Sequence, residues 1–118
     1  YGGNPLACSV AVAIVNYLQE NNVVEGVKQM GKFLKGSLEE AARPFPFVKE
    51  VRGLGLLQAV EFTEDIAATL VASCNESGLL LNPVKPNAIR LMPPLVLNRV
   101  DAERAVRILA SNWEKVAI

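Results

Sequence analysis

The chain contains no histidine. Serine–histidine and cysteine–histidine pairs, in which a neighbouring base activates the nucleophile, are therefore excluded, and the common hydrolase triads go with them. Only two cysteines are present, Cys8 and Cys74, without a CxxC spacing. With no histidine to join them, they make no zinc-ligand set. Both fall on apolar helical faces, where a free cysteine behaves as a small hydrophobe, so two buried thiols are expected rather than a disulfide. A reducing cytoplasm is the matching compartment. An excess of either charge is missing as well, since 12 Lys and Arg balance 12 Asp and Glu. That balance leaves no electrostatic footprint for nucleic acid or an anionic membrane surface. No apolar run approaches the roughly 20 residues of a membrane span. The opening Tyr1-Gly2-Gly3-Asn4 has neither an initiator Met nor a basic leader, and reads as a cut through a longer protein.

What is present is apolar. Hydrophobic residues make up 51% of the 118 residues, and mean hydropathy is +0.25. A chain of this length forms one domain with a real core, and this much apolar side chain leaves some over for an interface.

Asn4-Pro5 is a helix-start signal, followed by Leu6, Val10, Ile14 and Leu18 at four-residue spacing, with Ala7, Ala11 and Val15 widening the stripe. Such an all-apolar helix needs cover on several sides, so residues 1–22 are read as an interface helix and 23–118 as the domain proper. Asn21 or Asn22 closes it and caps a second helix from Val23 to Ala42. There Val27, Met30, Leu34, Leu38 and Ala41 form the buried stripe, and Lys28, Lys32 and Lys35 lie on a solvated face. Val48–Arg52 and Leu56–Phe62 read as strands around Gly53-Leu54-Gly55. A third glycine and an immediately following helix are missing, so this is a bend and no dinucleotide fingerprint.

Thr63 is expected to cap a third helix, with Glu64 and Asp65 in its first turn and Gly78 as its stop. Leu79–Leu81 and Ala88–Met92 are expected strands. Asn98 and Asp101 resemble a capping box for a last helix with Val106, Leu109, Trp113 and Val116 inward. The order gives an α+β fold, a small and mostly antiparallel sheet with helices packed on it.

Arg90 stands out. It sits in the apolar strand Ala88-Ile89-Arg90-Leu91-Met92, halted by Pro93-Pro94. A guanidinium presents a planar fork that matches a carboxylate through two bonds, a geometry lysine lacks. The plainer alternative is an ion pair with a surface acid. Arg52 reads as a structural salt bridge or backbone contact, and Glu61 is a strand-end acid of open purpose.

Three segments carry residue choices that helix and strand physics leave unexplained: Tyr-Gly-Gly-Asn-Pro-Leu-Ala-Cys (1–8), Val-Arg-Gly-Leu-Gly-Leu (51–56) and Ile-Arg-Leu-Met-Pro-Pro-Leu (89–95). In this order and spacing the chain resembles the carboxyl-terminal small domain of a class III pyridoxal-phosphate-dependent aminotransferase, nearest the acetylornithine and ornithine branch. The resemblance implies a fold type I transferase domain, pyridoxal 5'-phosphate as cofactor of a homodimeric, cytoplasmic parent, and a role in arginine biosynthesis. It further implies transfer of the terminal amino group of N-acetylornithine to 2-oxoglutarate, giving glutamate, with ornithine, succinylornithine or 4-aminobutyrate as alternative donors. Arg90 would hold the α-carboxylate of each substrate. Gly2 and Gly3 would lie near the cofactor without contacting it by side chain. The reactive lysine, the carboxylate on the pyridinium nitrogen and the phosphate cup would lie before Tyr1. The isolated chain is accordingly expected to be inactive. A free-standing, non-catalytic interaction domain is the competing expectation.

Overall fold

The computed structural model describes residues 1–116, which form four helices and one four-stranded sheet. Helix α1 spans Pro5–Glu20, and Asn4 caps it as its sequence requires. The Asn4 side-chain oxygen accepts from the Leu6 N–H at 2.9 Å and the Ala7 N–H at 3.3 Å. No residue of α1 is buried, and Leu6, Val10, Val12, Ile14 and Val15 all face solvent. Cys8 is therefore exposed, against the expectation of a buried thiol. The helix makes its main contact with α2 and leaves most of its apolar face uncovered.

Asn22, in the left-handed conformation at φ 49°, turns the chain into α2 (Val23–Ala42) without a side-chain cap. Its expected stripe holds. Leu34 and Leu38 are buried, and Val27, Met30 and Ala41 pack on the core. Strands β1 (Val48–Leu54) and β2 (Leu57–Phe62) form a hairpin whose two-residue loop, Gly55-Leu56, begins with glycine at φ 56°.

Helix α3 runs only Ala67–Glu76, so Thr63 is not its cap and Glu64 and Asp65 precede it. The Thr63 N–H donates to the Phe47 carbonyl, and the first helical N–H, of Ala67, donates to the Pro86 carbonyl at 2.9 Å. Distant carbonyls thus do the work assigned to a local cap. Gly78, at φ 82°, ends α3 as expected. Its N–H reaches the Asn75 carbonyl and the Leu79 N–H reaches that of Cys74, a Schellman closure. That closure holds Leu79 against the helix end. The next strand, β3, is consequently Asn82–Lys85 rather than Leu79–Leu81.

Strand β4 is Ala88–Leu91, and α4 spans Arg99–Val116. Asn98 accepts from the Asp101 N–H at 2.9 Å, as the capping reading required, while the return bond to the Asp101 carboxylate, at 2.7 Å, comes from the Asn98 side-chain amide rather than its backbone N–H.

The sheet order is β1-β2-β4-β3, antiparallel throughout, so Pro83 lies in an edge strand where its missing N–H is tolerated. Period-two alternation divides the sheet. Val51, Val60, Phe62, Ile89 and Leu91 face inward to Leu34, Leu38, Leu70, Cys74, Leu109 and Trp113. Trp113 is fully buried and meets Phe45 edge-on at 5.7 Å, which makes it core. Buried Asn112 ties α4 to α3, accepting from the Ser73 hydroxyl and donating to the Ser77 hydroxyl at 3.2 Å. Among the described residues no helix is long and apolar enough to cross a membrane.

Candidate functional site on the open sheet face

Helices cover one side of the sheet, and the candidate site residues lie on the other. Across all four strands one register row reads Arg52, Ala59, Arg90, Asn82. Arg90 is next to last in the inner strand β4, just before Pro93-Pro94. It lines an open hollow of about 420 Å³ with Arg52, Leu54, Leu57, Ala59 and Val84. The side chain of Ala59, directly opposite on β2, is too short to shield it.

Arg90 is half-buried, and none of the ion pairs among the described residues includes it. Its Nε is buried without a hydrogen-bond acceptor. A buried donor left unsatisfied costs about 1–3 kcal/mol. The plain alternative, a surface ion pair, is thus not what Arg90 makes.

Arg52 does make one. Its Nη2 lies 2.9 Å from Glu61 Oε2, and its Nε lies 3.4 Å from Glu50. Lys49 Nζ takes the other oxygen of Glu61 at 2.6 Å. The Lys49 ammonium first, then the Arg52 guanidinium, hold the Glu61 carboxyl down at about 2. Glu61 had no assigned purpose in the sequence. The signal was there in alternation, since positions 50 and 52 of one hairpin strand share a face with 59 and 61 of the other. Gln58 was missed outright. It is buried, and its amide donates to the Gly55 carbonyl at 2.6 Å, fixing the hairpin loop beside the hollow.

A larger hollow, about 510 Å³, lies where α1 meets α2 and is lined by Tyr17, Gly26, Phe33 and Arg99. Its one cation is already engaged. Arg99 pairs with Glu103 at 3.0 Å and stacks 4.2 Å from the Phe33 ring centre. The smaller hollow holds the unpaired charge, and is the better site.

The comparisons with known proteins decide the family. The aminotransferase class-III model matches residues 1–112. The chain belongs to the class III aminotransferases. Among relatives of this class III chain, an acetylornithine aminotransferase from Caldanaerobacter subterraneus subsp. tengcongensis is 37% identical over 109 residues, 92% of this chain and 28% of that protein. An ornithine aminotransferase from Emericella nidulans is 39% identical over 114 residues, 92% of this chain and 25% of that protein. The crystal structure of an acetylornithine aminotransferase from Elizabethkingia anophelis superposes with TM-score 0.91 at 32% identity, covering 96% of this chain and 30% of that one. A transaminase from the marine bacterium Virgibacillus gives 0.92 at 28% identity. This class III chain thus spans between a quarter and a third of such proteins. Its α+β fold is the one expected for the carboxyl-terminal domain.

Class III enzymes use pyridoxal phosphate, and the described residues do not by themselves fit it. A Schiff-base lysine must lose its proton near neutral pH, which requires burial or a cationic neighbour. Lys28, Lys35 and Lys49 pair with Glu25, Glu39 and Glu61, and Lys49 is pushed up by Glu61. Lys32, Lys85 and Lys115 are exposed. Gly2 and Gly3 adopt φ 59° and 71° in an exposed turn, with no atom within 4 Å of where a Cβ would stand. No step through the cofactor is drawn from these residues.

Proposed function

We propose that this chain is the substrate-gripping part of a pyridoxal-phosphate aminotransferase that moves the terminal amino group of N-acetylornithine to 2-oxoglutarate, a reaction of arginine biosynthesis in the cytoplasm. The observation that carries the reading is Arg90, a half-buried guanidinium with no ion-pair partner among the described residues, on the open sheet face of a class III chain. Relatives bearing the acetylornithine aminotransferase name support the donor. The reactive lysine and phosphate cup belong to sequence outside this chain. The exposed apolar face of α1 is covered by that remainder or by the second subunit of a homodimer.

One chemical constraint narrows the role of Arg90. In 2-oxoglutarate and glutamate the reacting carbon is bonded to the α-carboxylate, whereas in N-acetylornithine it stands three carbons away. A guanidinium fixed relative to one reacting centre cannot serve both at the same reach. Arg90 therefore takes the α-carboxylate of 2-oxoglutarate and glutamate, and the donor's carboxylate lies elsewhere. The expectation that it grips both substrates is narrowed accordingly.

The donor is tested by a panel. With 2-oxoglutarate as acceptor, the aminotransferase containing this chain is expected to show its highest kcat/KM with N-acetylornithine. A better rate by about tenfold or more with ornithine, succinylornithine or 4-aminobutyrate would transfer the assignment to that donor.

A further inference from the structure

Glu61 occupies a particular place in the sheet. Ala59 on β2 is the register partner of Arg52 on one side and Arg90 on the other, and Glu61 follows two residues later on the same face. In an antiparallel sheet such diagonal neighbours lie about 7–8 Å apart, within reach of long side chains. Topology therefore puts Glu61 diagonal to both arginines. An acid so placed is a ready competitor for any carboxylate arriving at Arg90.

Glu61 is engaged elsewhere. Arg52 holds Oε2 at 2.9 Å and Lys49 holds Oε1 at 2.6 Å, so each oxygen has a cationic partner on the side away from Arg90. Lys49 reaches this face through an irregularity. The register shifts between Val48 and Glu50, leaving Lys49 as an extra residue in β1, and bulges re-aim side chains in this way. Two cations and a bulge converge on one carboxylate beside Arg90, which pairs with no acid among the described residues.

We propose that Lys49 and Arg52 are positioning residues for Arg90: by occupying both oxygens of Glu61 they keep that acid from closing on the Arg90 guanidinium, which stays open to a substrate carboxylate. The proposal rests on the reading of Arg90 as a carboxylate grip and adds a determinant of its affinity. Without the two cations, Glu61 and Arg90 are opposite charges in reach of each other. Apparent substrate affinity then falls with the fraction of Arg90 left free.

The test is a set of variants of the complete aminotransferase. The Lys49 and Arg52 side chains are 59% and 45% exposed, so replacing them leaves the core intact. Lys49→Gln with Arg52→Gln is expected to raise the KM for 2-oxoglutarate about fivefold, as a surface ion pair would, with kcat at saturation unchanged. Adding Glu61→Gln should return KM to within about twofold of the parent, and the Kd of glutarate by calorimetry should follow the same pattern. Adding Glu50→Gln instead removes the same charge from a site not adjacent to Arg90, and should leave KM raised.

An unchanged KM in the double variant would overturn the proposal, as would equal rescue by Glu50→Gln and Glu61→Gln. If Arg90→Lys also leaves KM unchanged, the reading of Arg90 itself fails. If Arg90→Lys raises it and the double variant does not, only the role of Lys49 and Arg52 fails.

Discussion

Arg90→Lys in the complete aminotransferase is expected to lower kcat/KM for glutamate and 2-oxoglutarate about a hundredfold, while the half-reaction with the amino donor changes by less than about threefold. Lysine keeps the charge and loses the fork. A hydrogen bond to a charged group is worth about 1.5–3 kcal/mol, and an ammonium makes one such bond where the guanidinium makes two in parallel. Removing one of the two corresponds to roughly 2–3 kcal/mol of transition-state stabilisation, the stated hundredfold. Stopped-flow measurement of the two half-reactions separates the arms. A uniform loss in both would mean that Arg90 holds the sheet together rather than a carboxylate, and no loss would return it to the surface.

Gly31→Ala is expected to destabilise the 118-residue chain by about 3 kcal/mol or more, although alanine is the better helix former. Glycine inside a helix costs about 0.5–1 kcal/mol relative to alanine, so propensity alone predicts a gain. At Gly31 that gain is outweighed. A Cβ there would stand 2.3 Å from the Gly55 carbonyl oxygen and 2.6 Å from its Cα, and backbone cannot step aside as a side-chain tip can. Helix α2 touches the β1–β2 hairpin loop through this absence of a side chain. The same loop is held by Gln58 and adjoins the Arg90 hollow. Gly36→Ala in the same helix supplies the control, since nothing lies within 4 Å of its Cβ position, and should stabilise by about 0.5–1 kcal/mol. Urea unfolding at constant m-value reads both. Equal effects of the two substitutions would show that the close approach carries no weight.

The parts of the fold that were legible were those with local signals. Asn4-Pro5, Asn98 with Asp101, Gly78 and the α2 stripe each act within one or two turns of chain, and each is found where its residues put it. The misreadings were non-local. Thr63-Glu64-Asp65 has the composition of a helix start, but the N–H of Thr63 is taken by Phe47 and that of Ala67 by Pro86, carbonyls 16 or more residues away in sequence. Leu79–Leu81 has the composition of a strand, but the Schellman closure uses the N–H of Leu79. Asn82–Lys85, with a proline and a lysine, has little strand character of its own and is held as an edge by β4.

The candidate site divides the same way. The place of Arg90 was legible, an arginine in an apolar strand before two prolines, and it lies in β4 lining the open hollow. Arg52 was legible as a structural residue, by salt bridge or backbone contact, but not by partner, since its partner depends on a register that only the folded hairpin fixes. Cys8 was misplaced for a related reason. An apolar helical face promises burial, and nothing in 118 residues says whether the covering surface lies within them.

The central claim is that Arg90 receives a substrate carboxylate on the open sheet face. A crystal structure of the complete aminotransferase with 2-oxoglutarate bound tests it most directly. The expected result is the α-carboxylate in two parallel hydrogen bonds to the Arg90 guanidinium, about 2.7–2.9 Å each, with Glu61 still on Lys49 and Arg52. A bound 2-oxoglutarate whose carboxylates both avoid Arg90, or an Arg90 paired with Glu61 in its presence, would contradict it.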